Sequence, residues 1–168
     1  MSEVEQKLAR FRSLGREMRL QLLLRHARRL PPLPEDLLAA RDEGLGRVEE
    51  CQTPLFLWVG VEGKGVRIHA DAPEESPTVR GFVGFLAELL EGRSPEEVAA
   101  LPDDVMDRMG LGEVLGAMRT RGLGAVVRRI KRDVARAAAG GGGRPARPTG
   151  EVLADAPDGP ARTPGRGA

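Results

Sequence analysis

Cysteine occurs once in this chain, at position 51, within Arg47-Val48-Glu49-Glu50-Cys51-Gln52-Thr53-Pro54-Leu55-Phe56-Leu57. One thiol closes no internal disulfide, and it supplies no cysteine cluster to zinc or to an iron–sulfur centre. It can act as a nucleophile, carry a group, or simply fill the core as a small hydrophobe. Its position favours the reactive role. Cys51 stands between the charged pair Glu49-Glu50 and the turn-forming Thr53-Pro54, just ahead of an apolar run. That pattern predicts a loop entering a strand, where functional groups are often displayed. A thiolate attacks sulfur and a thiol hardly does. The neighbouring acids, taken alone, disfavour the thiolate, because like charge raises a thiol's pKa. Gln52 can donate a hydrogen bond across the loop or fix the turn.

Other chemistry finds little support. His26 and His69 are distant in sequence, with no Cys or Asp at ligand spacing, so no metal site is expected. His69 alternates with apolar residues and is expected to face solvent. Gly110-Leu111-Gly112 lacks both the third glycine and the lysine of a phosphate loop. No Ser–His–Asp arrangement can be argued. Arg128, Arg129, Lys131 and Arg132 form a basic side of a helix, which reads as a solvated face able to meet an acidic patch on a partner. With 26 basic and 25 acidic residues the formal net charge is +1, so bulk charge makes no case for nucleic acid. No run is long and apolar enough to span a bilayer. The acidic start Met1-Ser2-Glu3-Val4-Glu5 is unlike a secretory signal. With a free thiol, this fits a reducing cytoplasm.

The elements that must position Cys51 follow from periodicity. At 40% hydrophobic and 30% charged residues over 168 positions, the chain has the composition and length of one soluble domain. Ser2 and Glu5 make a capping-box pattern for a first helix carrying Val4, Leu8 and Phe11 on one side. A second helix is expected from about Gly15 to Arg29, stopped by Leu30-Pro31-Pro32-Leu33-Pro34. One helical turn over Leu37 to Ala40 comes before the loop that Gly44 and Gly46 open. After Cys51 the period becomes two. Leu55 to Val61 and Val66 to Ala70, joined by Glu62-Gly63-Lys64-Gly65, read as a β-hairpin, with Arg47-Val48 as a third strand. A helix from Thr78 to about Glu91 should cover the hairpin, and Ser94-Pro95-Glu96-Glu97 starts another. Short helices follow near Asp104 to Met109 and Glu113 to Met118. A last helix runs from about Gly122 to Ala139. From Gly140 the chain turns rich in glycine and proline, and a segment of that kind cannot bury enough apolar surface to order itself. The expectation is an α+β domain over 1–139, with a small antiparallel sheet of about three strands packed against several helices, and a disordered tail over 140–168.

Four blocks in order carry a family resemblance: Arg29-Leu30-Pro31-Pro32-Leu33-Pro34, Val48-x-x-Cys51-Gln52-Thr53, Thr78-Val79-Arg80-Gly81-Phe82 and Arg119-Thr120-Arg121-Gly122-Leu123. Over residues 5 to 136 the chain resembles the SufE family of cysteine-desulfuration proteins, whose fold has the shape of the IscU-like iron–sulfur scaffolds. Many members have glycine before the cysteine, where this chain has Glu50. The resemblance implies a partner, a SufS-like cysteine desulfurase that carries the pyridoxal phosphate, so this chain itself needs no cofactor. It implies that Cys51 takes the outer sulfur of the partner's persulfide, stimulates its turnover, and passes sulfur to an iron–sulfur scaffold. It also implies that Arg119 lies near the cysteine loop and stabilises the sulfur anion; otherwise Arg119 reads as a solvated arginine beside a helix. Two other readings stay open: a single-cysteine redox enzyme or sensor, which would lack a resolving thiol, and a non-catalytic adaptor that binds the desulfurase through its basic helix.

Overall fold

The computed structural model describes residues 2–140. In chain order the elements are α1 (Glu3–Ser13), α2 (Arg16–Arg29), α3 (Glu35–Asp42), β1 (Phe56–Glu62), β2 (Gly65–Asp71), α4 (Pro77–Leu90), α5 (Pro95–Ala99), α6 (Val105–Arg108), α7 (Gly112–Leu115) and α8 (Ala117–Ala139). The capping boxes at Ser2/Glu5 and Ser94/Glu97 both form, each with its two reciprocal bonds.

Helix α4 is apolar on nearly every side, so it must be enclosed. Val79, Phe82, Val83, Phe85, Leu86, Leu89 and Leu90 are all buried. Its closest neighbour is α2, and two glycines permit the approach. A Cβ on Gly81 would lie 2.0 Å from the Leu23 carbonyl oxygen, and one on Gly84 would lie 2.8 Å from that of His26. The two backbones touch where no side chain fits between them.

The hairpin forms with the register Phe56↔Asp71 through Glu62↔Gly65. Gly63, at φ +62°, takes the first central position of the two-residue turn, where a side chain would be strained. Strand β1 is buried on both faces. Leu57, Val59 and Val61 join the main core, while Trp58 packs with Leu33 and Leu37 from the proline-rich strap and α3. Strand β2 alternates, with Val66, Ile68 and Ala70 inward, Arg67 exposed and His69 half-buried.

Two expectations change. The third strand shrinks to one bridge, Arg47↔Phe56, so the sheet has two strands. Gly44 and Gly46, at φ +81° and +77°, turn the chain just before it, and Pro54 offers no ladder donor after it. The last helix starts earlier than expected. Its break is Gly116 (φ +78°), so Glu113 to Met118 is no single helix, and α8 carries Arg119 in its first turn. Gly122 and Gly124 are absorbed inside α8, which packs along β1 and beside α5, α6 and α7. The segment expected to be disordered lies, from residue 141 on, outside the described residues. No described helix is long and apolar enough to cross a membrane.

Candidate functional site

Between α3 and β1 the chain loops over the N-terminal half of α8. The Val48 N–H donates to the Leu55 carbonyl (2.8 Å) and the Cys51 N–H to the Val48 carbonyl (3.1 Å), folding residues 48–55 into a tight excursion. Cys51 sits at its inner side with 6% of its surface exposed, joined to the main apolar core. Directly beneath is Gly122: a Cβ there would sit 3.7 Å from the Glu50 carbonyl oxygen and 4.0 Å from the Cys51 Cα. The loop therefore rests on the helix backbone. It is a loop, as its residues imply, but it turns the thiol inward while Glu49, Glu50 and Gln52 face solvent. The apolar neighbours Leu55 and Leu57 enter the core and draw the small sulfur residue with them.

The thiol lines a cavity of about 510 Å³. Its walls include Thr53, Val79 and Leu123, and Arg119, Arg121 and Arg128 reach it from α8. None of these three guanidiniums has a carboxylate partner among the described residues; Arg119 donates only to the Thr78 hydroxyl, at 3.3 Å. Met118 stands at the same rim, 71% exposed. The cavity thus joins an apolar base to a positive mouth, with Glu50 as its single acid.

Burial pushes the Cys51 thiol up, and the Thr53 backbone N–H and the nearby Arg47 charge partly oppose it. The adjacent acids, expected from sequence to raise this pKa, are not the cause. Glu49 is exposed and turned to Arg47, 3.8 Å away, and Glu50 points to solvent. At neutral pH the resting group is a protonated, enclosed thiol.

Cys51, Gln52 and Arg119, the three residues singled out from sequence, line one cavity. The Gln52 amide makes no hydrogen bond among the described residues, so it does not fix the turn. The cation sensed by the resting sulfur is Arg47 rather than Arg119. Sequence reasoning missed Arg47, Arg121 and Arg128 as parts of the site. The seven-residue spacing of Arg121 and Arg128 places them on one helix face and was the available signal; nothing periodic marks Arg47. The run 128–132 is also not uniformly solvated. Arg129 bonds the Arg47 carbonyl (3.0 Å) and Asp133 (2.8 Å), and Lys131 bonds the Leu101 carbonyl (2.9 Å) and Asp103 (2.7 Å). His26 is buried against Phe85 and Glu88, far from any metal-like set, and no group of three or more His, Cys, Asp or Glu among the described residues is placed to hold a metal.

The single thiol stands on an inward loop over an α8 glycine, just ahead of the hairpin. The SufE profile, described as an Fe-S metabolism associated domain, matches residues 5–134, and the chain belongs to the SufE family. It is 40% identical over 115 residues to an uncharacterised SufE-like protein of Mycobacterium tuberculosis, covering 68% of this chain and 78% of that one. It is 30% identical over 106 residues to the chloroplastic SufE-like protein 2 of Arabidopsis thaliana, covering 62% of this chain and 39% of that one. Its fold matches the solution structure of a hypothetical protein from Thermus thermophilus with a TM-score of 0.71 and 41% identity, over 81% of this chain and 96% of that one. The family places the protein in iron–sulfur metabolism.

Proposed function

We propose that the protein accepts sulfur from a SufS-like, pyridoxal-phosphate cysteine desulfurase and relays it toward an iron–sulfur scaffold. The observation that carries this reading is the placement of the only thiol in a cavity rimmed by three arginines that have no carboxylate partner among the described residues. Persulfide sulfur is anionic at neutral pH, and such a rim attracts it.

The transfer is an exchange at sulfur. Cys51 loses its proton, and the thiolate attacks the outer sulfur of the donor persulfide. A new S–S bond forms at Cys51 as the donor's S–S bond breaks, and the donor cysteine leaves as a thiolate that takes up a proton. No external oxidant or reductant is needed. A thiol 6% exposed cannot meet a donor sulfur in place. On this reading docking turns residues 49–53 outward, which also removes the burial that keeps the thiol protonated. Between encounters, burial shields the sulfur from oxidation. A peroxide sensor calls for the opposite design, an exposed thiol of lowered pKa.

Stimulation of cysteine turnover tests the proposal. Added to a SufS-like desulfurase, the protein should raise turnover, and its Cys51→Ser variant should bind equally well without raising it. Full stimulation by the serine variant would make the protein an adaptor and Cys51 incidental.

A further inference from the structure

The base of the cysteine loop is held from α8 by one side chain. Arg129 places its guanidinium between two acceptors: Nε donates to Asp133 Oδ2 at 2.8 Å, and a terminal nitrogen donates to the Arg47 carbonyl at 3.0 Å. Both partners of the ion pair are largely enclosed, with side-chain exposures of 15% and 19%. Asp133 lies one turn beyond Arg129, so the helix itself sets the pair's geometry. Arg47 is where the loop joins the hairpin, through its bridge to Phe56. It is also the residue whose charge reaches the thiol. Immediately before it, Gly46 lies against the Trp58 indole; a Cβ there would meet the ring at 2.6 Å. Outward of Arg47, the exposed residues Glu49, Glu50 and Gln52 form no comparable tie among the described residues; Glu49 only approaches Arg47, at 3.8 Å.

We infer that Arg129, oriented by Asp133, is a positioning residue that clamps the Arg47 end of the cysteine loop, so that residues 49–53 move about a fixed base and return the thiol to its pocket. The inference deepens the sulfur-acceptor reading and draws its purpose from it. The physical claim stands on the two hydrogen bonds. A guanidinium suits this place because its planar fork serves two acceptors at once, which an ammonium does less well.

Two reporters already exist in the chain, since Cys51 is its only thiol and Trp58 its only tryptophan. In the full-length protein, iodoacetamide reads exposure of Cys51, and acrylamide quenching reads the Gly46–Trp58 contact. Removing one charge-assisted bond in Arg129→Met should speed alkylation about tenfold and increase quenching, with Arg129→Lys falling between. A general loss of stability would not have this signature. Leu8→Ala, a core change on α1, serves as the control and should speed neither reading at a comparable fall in melting temperature. If Arg129→Met fails to fold, Asp133→Asn, which frees the guanidinium from its orienting partner, is read in the same way. Alkylation and quenching equal to wild type, or equal to those of Leu8→Ala, in the folded variant would overturn the inference. Neither reading requires a desulfurase. A negative result therefore strikes the clamp alone, and faster alkylation without sulfur transfer strikes only the acceptor reading.

Discussion

At the residue scale, the site holds its one thiol in the protonated form. Cys51 is enclosed, its proton is retained because burial disfavours the thiolate, and the Thr53 N–H and Arg47 soften that effect. A pH dependence follows. With the folded-state pKa above the unfolded one, the unfolded chain gives up the thiol proton first as pH rises. The stability tied to this group is complete below the ordinary thiol pKa and is lost from about pH 8.5 upward. Across that window the melting temperature of the wild type should fall more steeply than that of Cys51→Ser, whose hydroxyl does not titrate there; parallel curves would mean that the thiol is not held in its buried state. Arg119 belongs to the same scale. Among the described residues it has no carboxylate to neutralise it, and it lines the cavity, so Arg119→Ala should slow sulfur transfer roughly tenfold through loss of one charge-assisted contact, with less effect on desulfurase binding. Equal single-turnover rates would assign it to solvent. The loop that carries Cys51 was legible in the sequence, because Thr53-Pro54 and the apolar run behind them mark a turn entering a strand. The inward orientation of the thiol was not, since only the tertiary packing of Leu55 and Leu57 draws it in.

At the element scale, the site is a loop seated over Gly122 of α8, and the helices behind it cross where Gly81 and Gly84 let α2 approach α4. The hairpin, the capped helix starts at Ser2 and Ser94, and the apolar face of α4 were readable because each is written in local spacing. The start of α8 was misjudged because Gly122 and Gly124 look like breaks. The break falls instead at Gly116, whose positive φ ends the preceding turn. The third strand is not written locally in the same way, since the residues at Arg47-Val48 say nothing about whether glycine turns will cut the pairing to one bridge. The helix crossing is open to test. In Gly81→Ala the added methyl would overlap the Leu23 carbonyl at 2.0 Å, forcing α2 and α4 apart. Overpacking of this kind costs about 1–3 kcal/mol, so the denaturation midpoint should drop clearly, whereas Gly112→Ala, with open space around it, should stay near wild type. Equal midpoints would show that the two helices can separate at little cost.

At the scale of the whole molecule, the hairpin and α4 form a fixed body, and α8 brings its arginines and the loop seat to one edge of it. The family membership and the α+β arrangement were within reach of the sequence, because four motif blocks fall in order along one domain. The surroundings of the loop were only half visible, since the Arg47 charge comes near the Cys51 thiol through the turn of the loop and Arg129 reaches the Arg47 carbonyl across 82 positions. Sulfur transfer is the central claim, and mass spectrometry of the intact protein measures it most directly. After mixing with a SufS-like desulfurase and L-cysteine, the protein should gain the mass of one sulfur atom, located on the Cys51 peptide, released by a reductant and missing in Cys51→Ser. A desulfurase that turns over cysteine while Cys51 stays unmodified would contradict the account.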